Sequence, residues 1–161
     1  MDLQKRKPNR LKNYDYSQNG LYFITICTKE HRCILSNVIV GASIARPSEI
    51  QLTDIGITVE KGINGIEEHY KNIFVDHYVI MPNHIHLIIR IENTDGRAML
   101  APTISRIIQQ FKGYVTKQLG KSIWQKLYYD HIIRNEEDYF IKQQYIENNP
   151  SKWLEDELYK K

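Results

Sequence analysis

Hydrophobic and polar positions along this chain alternate with two different periods, and the switches between them outline the fold. Residues 21–28, LYFITICT, are dense in β-branched and aromatic types and read as a strand. Residues 32–40, RCILSNVIV, offer a second. Residues 41–52, GASIARPSEIQL, break the rhythm with Gly, Ser and Pro and read as an exposed loop, placed at 41–51. Thr53-Asp54 is a helix N-cap signal, and Ile55, Val59, Ile63 and Ile66 then recur at helical spacing, so an amphipathic helix is predicted to about Tyr70. Gly62 and Gly65 count against it, since glycine is a poor helix former.

Residues 72–81 and 84–91 read as two further strands. Pro82-Asn83 between them marks a turn or bulge, because proline has no ladder donor. Strands joined so tightly pair antiparallel. Residues 102–119 open with a helix-compatible proline and put Ile104, Ile107, Ile108, Phe111 and Val115 on one face. Residues 122–134 begin as a turn and continue as a strand. Asn135 followed by three acids is an N-cap with a first turn matched to the helix dipole. That helix is predicted to stop near Asn149, since Pro150 disfavours helical geometry in the residue before it. SKWLEDELY offers a last short helix in a short tail, 151–161. The order β(β)–α–β–β–α–β–α is met by an α+β fold: an antiparallel sheet with helices packed on one face.

Composition narrows the function classes. The 161 residues fit one domain able to bury a core without disulfides. Apolar residues make up 42%, which argues against disorder. No apolar run reaches bilayer-spanning length and the N-terminus is no signal peptide, so a cytoplasmic protein with reduced Cys27 and Cys33 is expected. Two cysteines without a CxxC pair exclude a four-cysteine zinc site. The net charge of +3 is too small to argue nucleic-acid binding alone. Its distribution adds something: Lys5, Arg6, Lys7 and Arg10 crowd a basic arm over residues 1–13.

Chemistry concentrates in two places. In HIHLIIRI, His84 and His86 leave the same face of a strand, while Ile85, Leu87 and Ile89 leave the other. Two imidazoles so spaced can share one divalent cation. A single HxH is more often structural, and a third ligand would reverse that balance. QQYIENNP supplies a candidate: Tyr145 and Asn149 stand one helical turn apart on one face. Asn149, placed before a proline, also reads as an N-cap for the next helix, and Tyr145 competes with Tyr128, Tyr129 and Tyr139 among eleven tyrosines. A cation held by two imidazoles and an amide polarises a phosphate oxygen. A phenol then forms a phosphotyrosyl ester that conserves bond energy for strand transfer.

The motifs together resemble a known family. YDYSQNGLYFITICT, MPNHIHLII, SIWQKLYYDHIIRNEEDY and YIENNP occur in order and cover most of the chain. The chain resembles the single-tyrosine transposases of the HUH (His-hydrophobe-His) superfamily, and most of all the REP-associated tyrosine transposases, the transposase-IS200-like branch. The resemblance implies a ferredoxin-like or RRM-like sandwich forming one domain over 1–161. It implies Tyr145 as nucleophile and His84, His86 and Asn149 as ligands of Mg2+ or Mn2+. It further implies single-stranded or hairpin DNA as substrate, a 5′-phosphotyrosine intermediate, and a homodimer in some relatives but not others. The basic arm and Arg106, Lys112 and Lys117 of the second helix are expected at DNA phosphates. Tyr14, Tyr16 and Trp124 are candidates for stacking on bases. A catalytically inactive nucleic-acid-binding module on the same fold is the competing expectation, and a metal hydrolase using water is a third.

Overall fold

Strand alternation generates two unlike sheet faces here. The computed structural model describes residue 15 and residues 18–39, 48–93 and 102–159. Lys5, Arg6, Lys7, Arg10, Tyr14, Tyr16 and most of the expected 41–51 loop lie outside the described residues. The strands are β1 (Gly20–Cys27), β2 (Ser36–Ile39), β3 (Glu49–Leu52), β4 (Ile73–Ile80), β5 (His84–Ile91) and β6 (Tyr129–Ile133). The helices are α1 (Asp54–His69), α2 (Ile104–Leu119) and α3 (Glu136–Asn148). Four strands form one antiparallel sheet in the order β4-β5-β1-β6. That is the ferredoxin-like βαββαβ arrangement, with the β2–β3 hairpin inserted before α1 and α3 added at the end.

The first face is apolar. Tyr22, Ile24 and Ile26 of β1 join Leu87 and Ile89 of β5 beneath α1 and α2, which contribute Val59, Ile63, Phe111 and Val115. Fully burying each such side chain stabilises by roughly 1.5–3 kcal/mol. Thr53 and Thr103 cap these helices through side-chain oxygens that accept from Gly56 and Arg106 backbone N–H groups. The glycines that argued against α1 do not break it. At Gly62 a Cβ would come within 3.1 Å of the Phe111 and Tyr114 rings, so the missing side chain lets α1 and α2 approach closely.

The second face carries α3. The helices therefore do not share one face: α1 and α2 cover one side and α3 crosses the other. There Phe23, Ile88, Met81 and Ile133 meet Ile146 and Trp153. Ile146 is the one buried residue of α3, so this helix sits lightly. Asn135 caps it by accepting from Asp138 N–H at 2.8 Å, and His131 Nε2 lies 2.8 Å from the Asp138 carboxylate. A bulge in β4 between Val75 and His77 brings Asp76 to Arg90 Nε (3.0 Å) and to the Tyr139 hydroxyl (3.5 Å).

Three expectations need correcting. The expected loop ends as β3, which pairs with β2, because Ile50 and Leu52 alternate with Glu49 and Gln51 although the run is too short to stand out. The strand expected over 32–40 is only Ser36–Ile39. The tail forms one 3-10 turn, Trp153–Glu155, and folds back over the second face: the Asn83 amide donates to the Leu158 carbonyl at 2.7 Å.

Candidate metal centre and nucleophile

Pro82-Asn83 closes a tight hairpin, with Met81 N–H donating to His84 O at 2.9 Å, and so fixes where β5 begins. His84 and His86 then project onto the α3 face, opposite Cys27 and Thr25 of β1. Both are buried, and their rings lie 4.6 Å apart. Each ring is held through Nδ1. His84 Nδ1 is 2.8 Å from Asn83 Oδ1, and since the Asn83 amide nitrogen donates to Leu158 O, its oxygen is free to accept the imidazole N–H. His86 Nδ1 is 2.8 Å from Thr25 Oγ1, a hydroxyl able to accept in the same way. Both Nε2 atoms are left buried without a hydrogen-bond partner. Burial pulls the His84 pKa down to about 4, against the opposing pull of Asp156 and the Asn149 side chain. Burial, then His84 and Lys142, pull His86 well below the usual imidazole value. Neutral imidazoles with free Nε2 lone pairs are the form that binds metal.

α3 and the turn after it bring the remaining groups. Asn149 keeps helical geometry (φ −57°, ψ −41°) although Pro150 comes next, so it stays in register one turn beyond Tyr145. Asn149 is buried, and its Oδ1 is a third orphaned acceptor. Its amide nitrogen donates to Asp156 Oδ2 at 3.2 Å, and the same oxygen lies 3.9 Å from His84 Nε2. Ligand atoms of His84, His86 and Asp156 all fall within 4.8 Å of one another. Buried lone pairs converging without donors are the signature of a cation site, and this set of two imidazoles, an amide oxygen and a carboxylate can hold a divalent ion.

The Tyr145 ring packs edge-on to His86, 5.1 Å between centroids, and edge-on to Phe23. It remains 46% exposed, at the rim of a depression of about 400 Å³ lined also by Gln144, Asn149, Lys152 and Asp156. A phenol so placed is open to a polymer approaching from solvent. Burial, then Asp156, raise its pKa, while the Asn149 side chain pulls it down. Of the rival tyrosines, Tyr139 bonds Asp76 and Tyr128 bonds Ser105 Oγ at 3.0 Å. Tyr129 shares the histidine face but stands on the edge strand β6, with Thr25 between it and His86.

The fold thus brings Tyr145, His84, His86 and Asn149 together. It does not bring the α2 cations there, since α2 covers the opposite face. Arg106 and Lys117 are exposed on that helix. Lys112 is half-buried and donates to the Gln125 carbonyl at 2.9 Å. Trp124 packs in the core against Phe111. Sequence reasoning missed four residues at the site: Thr25, Asn83, Lys142 and Asp156. Lys142 Nζ sits 4.9 Å over the Phe23 ring, one turn before Tyr145. Asn83 sat in the turn motif and Asp156 in an acidic run, and neither carried a pattern that pointed to the histidines.

Comparison with known proteins places this arrangement. No family model matches the sequence. Over 98% of its length the chain is 36% identical to an "Uncharacterized protein" of Haemophilus influenzae, of which the match spans 94%. It is 27% identical, over 88% of its length and 77% of the relative, to a second protein of that organism named "Putative REP-associated tyrosine transposase". Among solved structures, a REP-associated tyrosine transposase bound to a REP hairpin superposes with a TM-score of 0.61 at 24% identity, covering 89% of this chain and 73% of the other. A Deinococcus radiodurans protein described as a "putative transposase" gives 0.51 at 16% identity, with 86% and 95% covered. The superpositions speak to fold. In its ferredoxin-like strand order and over most of its sequence, the chain is similar to proteins named as REP-associated tyrosine transposases.

Proposed function

We propose that this chain is a metal-dependent transposase that nicks single-stranded DNA and transfers the strand, with Tyr145 as its nucleophile. The observation that carries the reading is the convergence of three buried, partnerless acceptors, His84 Nε2, His86 Nε2 and Asn149 Oδ1, beside an accessible phenol. Those three side chains would hold Mg2+ or Mn2+. When bound, the ion supplies Lewis-acid polarisation of a phosphate oxygen.

The chain's own residues account for the rest. Asn83 and Thr25 hold the imidazoles with Nε2 facing the site. α3 leaves Tyr145 half exposed, lining a depression of about 400 Å³ that also holds Asn149 and Asp156. Attack of Oη on phosphorus forms the tyrosyl ester and breaks the bond to the 3′ oxygen. The phenolic proton is lost and the departing 3′ oxygen gains one, leaving a 5′-phosphotyrosine and a 3′-OH. Lys142, beside Phe23 and within electrostatic reach of His86, adds positive charge where a phosphate would approach. The hairpin-bound neighbour supports hairpin DNA as the substrate class. The basic arm with Arg106 and Lys117 would meet phosphates away from the site.

A labelled single-stranded hairpin oligonucleotide with Mg2+ tests the reading by denaturing gel. Wild type should form a covalent protein–DNA adduct. Tyr145→Phe should form none while still binding the DNA. An adduct persisting in that variant removes Tyr145 from the role. Cleavage by wild type without any adduct makes water the nucleophile instead.

A further inference from the structure

The buried carboxylate of Asp156 is out of keeping with a surface tail. Its side chain is 3% exposed, while its neighbours Glu155 and Glu157 are exposed. One oxygen accepts from the Leu158 backbone N–H at 2.7 Å, which locks the rotamer. The other accepts from Asn149 and faces His84 Nε2 at 3.9 Å. Among the described residues its ion-pair partner is His84 alone, and the proton of that ring lies on the other nitrogen, directed at Asn83. A carboxylate is therefore buried against two imidazole lone pairs and an amide oxygen, with no cationic side chain paired to it. Burying an anion without a counter-charge is strongly unfavourable. A divalent cation at the common centre removes that penalty, and Mg2+ and Mn2+ favour oxygen ligands.

The turn that delivers Asp156 is anchored to the same imidazole. Asn83, fully buried, accepts from His84 with its oxygen and donates to Leu158 O with its nitrogen. Trp153, also buried, packs 6.0 Å from the His84 ring and 5.2 Å from Tyr159. We infer that Asp156 is a further protein ligand of the cation, delivered by the C-terminal turn, and that Asn83 is the positioning residue that couples the His84 tautomer to that turn. This rests on the metal-centre reading above and adds a ligand to it. The final turn thereby becomes part of the metal centre rather than a tail.

Mn2+ binding to the full chain, without DNA, tests this by electron paramagnetic resonance and by the rise in melting temperature on adding the ion. Asp156→Asn should weaken Mn2+ binding by about 10-fold or more and shrink the Mn2+-induced stabilisation. The metal-free melting temperature should hold or rise, because a buried charge has been removed. Glu155→Gln, an exposed neighbour, should bind as wild type does. Asn83→Ala should weaken binding in the same direction. Unchanged or tighter Mn2+ binding by Asp156→Asn overturns the ligand assignment, as does failure of that variant to fold, which would make the carboxylate a structural acceptor. His84→Ala separates the two readings. Binding that needs His84 but not Asp156 overturns only this inference, whereas binding that needs neither overturns the metal centre itself.

Discussion

The two faces of one sheet differ in what their residues can be satisfied by. Beneath α1 and α2, β-strand side chains meet aliphatic and aromatic partners, and Ile24, Leu87 and Ile89 are completely buried. Beneath α3, the same strands present His84, His86 and Thr25 beside Phe23 and Ile88, and buried nitrogens and an amide oxygen are left unpaired. α3 itself buries one residue and holds its place by polar contacts at its N-terminal end. Aliphatic packing is concentrated on one side, and the unpartnered imidazole and amide atoms lie on the other. The lesson concerns division of labour: a face that must keep lone pairs open for a ligand cannot also be a tightly packed core.

Three experiments bear on that comparison, in descending order of effect. Leu87→Ala, on the α1/α2 face, should destabilise the chain by about 2–5 kcal/mol, read as a lowered denaturation midpoint. Tyr145→Phe on the other face should change the midpoint little, since the ring is half exposed. Equal losses from both would erase the contrast.

Acid should act through the second face. His84 and His86 are neutral when folded, with pKa values pulled down by burial, to about 4 for His84, while in the unfolded chain they titrate near the ordinary imidazole value. The unfolded state then binds more protons, so stability is full above about pH 6.5 and falls as the pH drops towards about 4. The slope is about 1.4 kcal/mol per pH unit for each histidine. Denaturant titrations across this range check it, and the slope should shrink in His84→Asn. A flat profile would mean that the imidazoles are not held neutral. The smallest effect is expected at Thr25→Val, which removes the acceptor at His86 Nδ1. Metal affinity should fall roughly 10- to 100-fold, while the shape of the residue keeps the strand packed. Calorimetric titration with Mn2+ reads this directly, and unchanged affinity would leave Thr25 without a part in aiming the ring.

Much of this was legible in the residues alone. Alternation along 84–91 and the helical spacing of 55–66 and 104–115 placed the strands, helices and apolar face, because those periods are local consequences of backbone geometry. Thr53 and Asn135 announced helix starts for the same local reason. The i, i+2 and i, i+4 spacings grouped the histidines with each other and Tyr145 with Asn149. What spacing could not do was join the two groups, choose Tyr145 over Tyr139, or enlist Asn83 and Asp156. Those are contacts between segments some 60–75 residues apart. They exist only because the sheet has a second face, α3 lies across it, and the final turn folds back against the hairpin that carries the imidazoles.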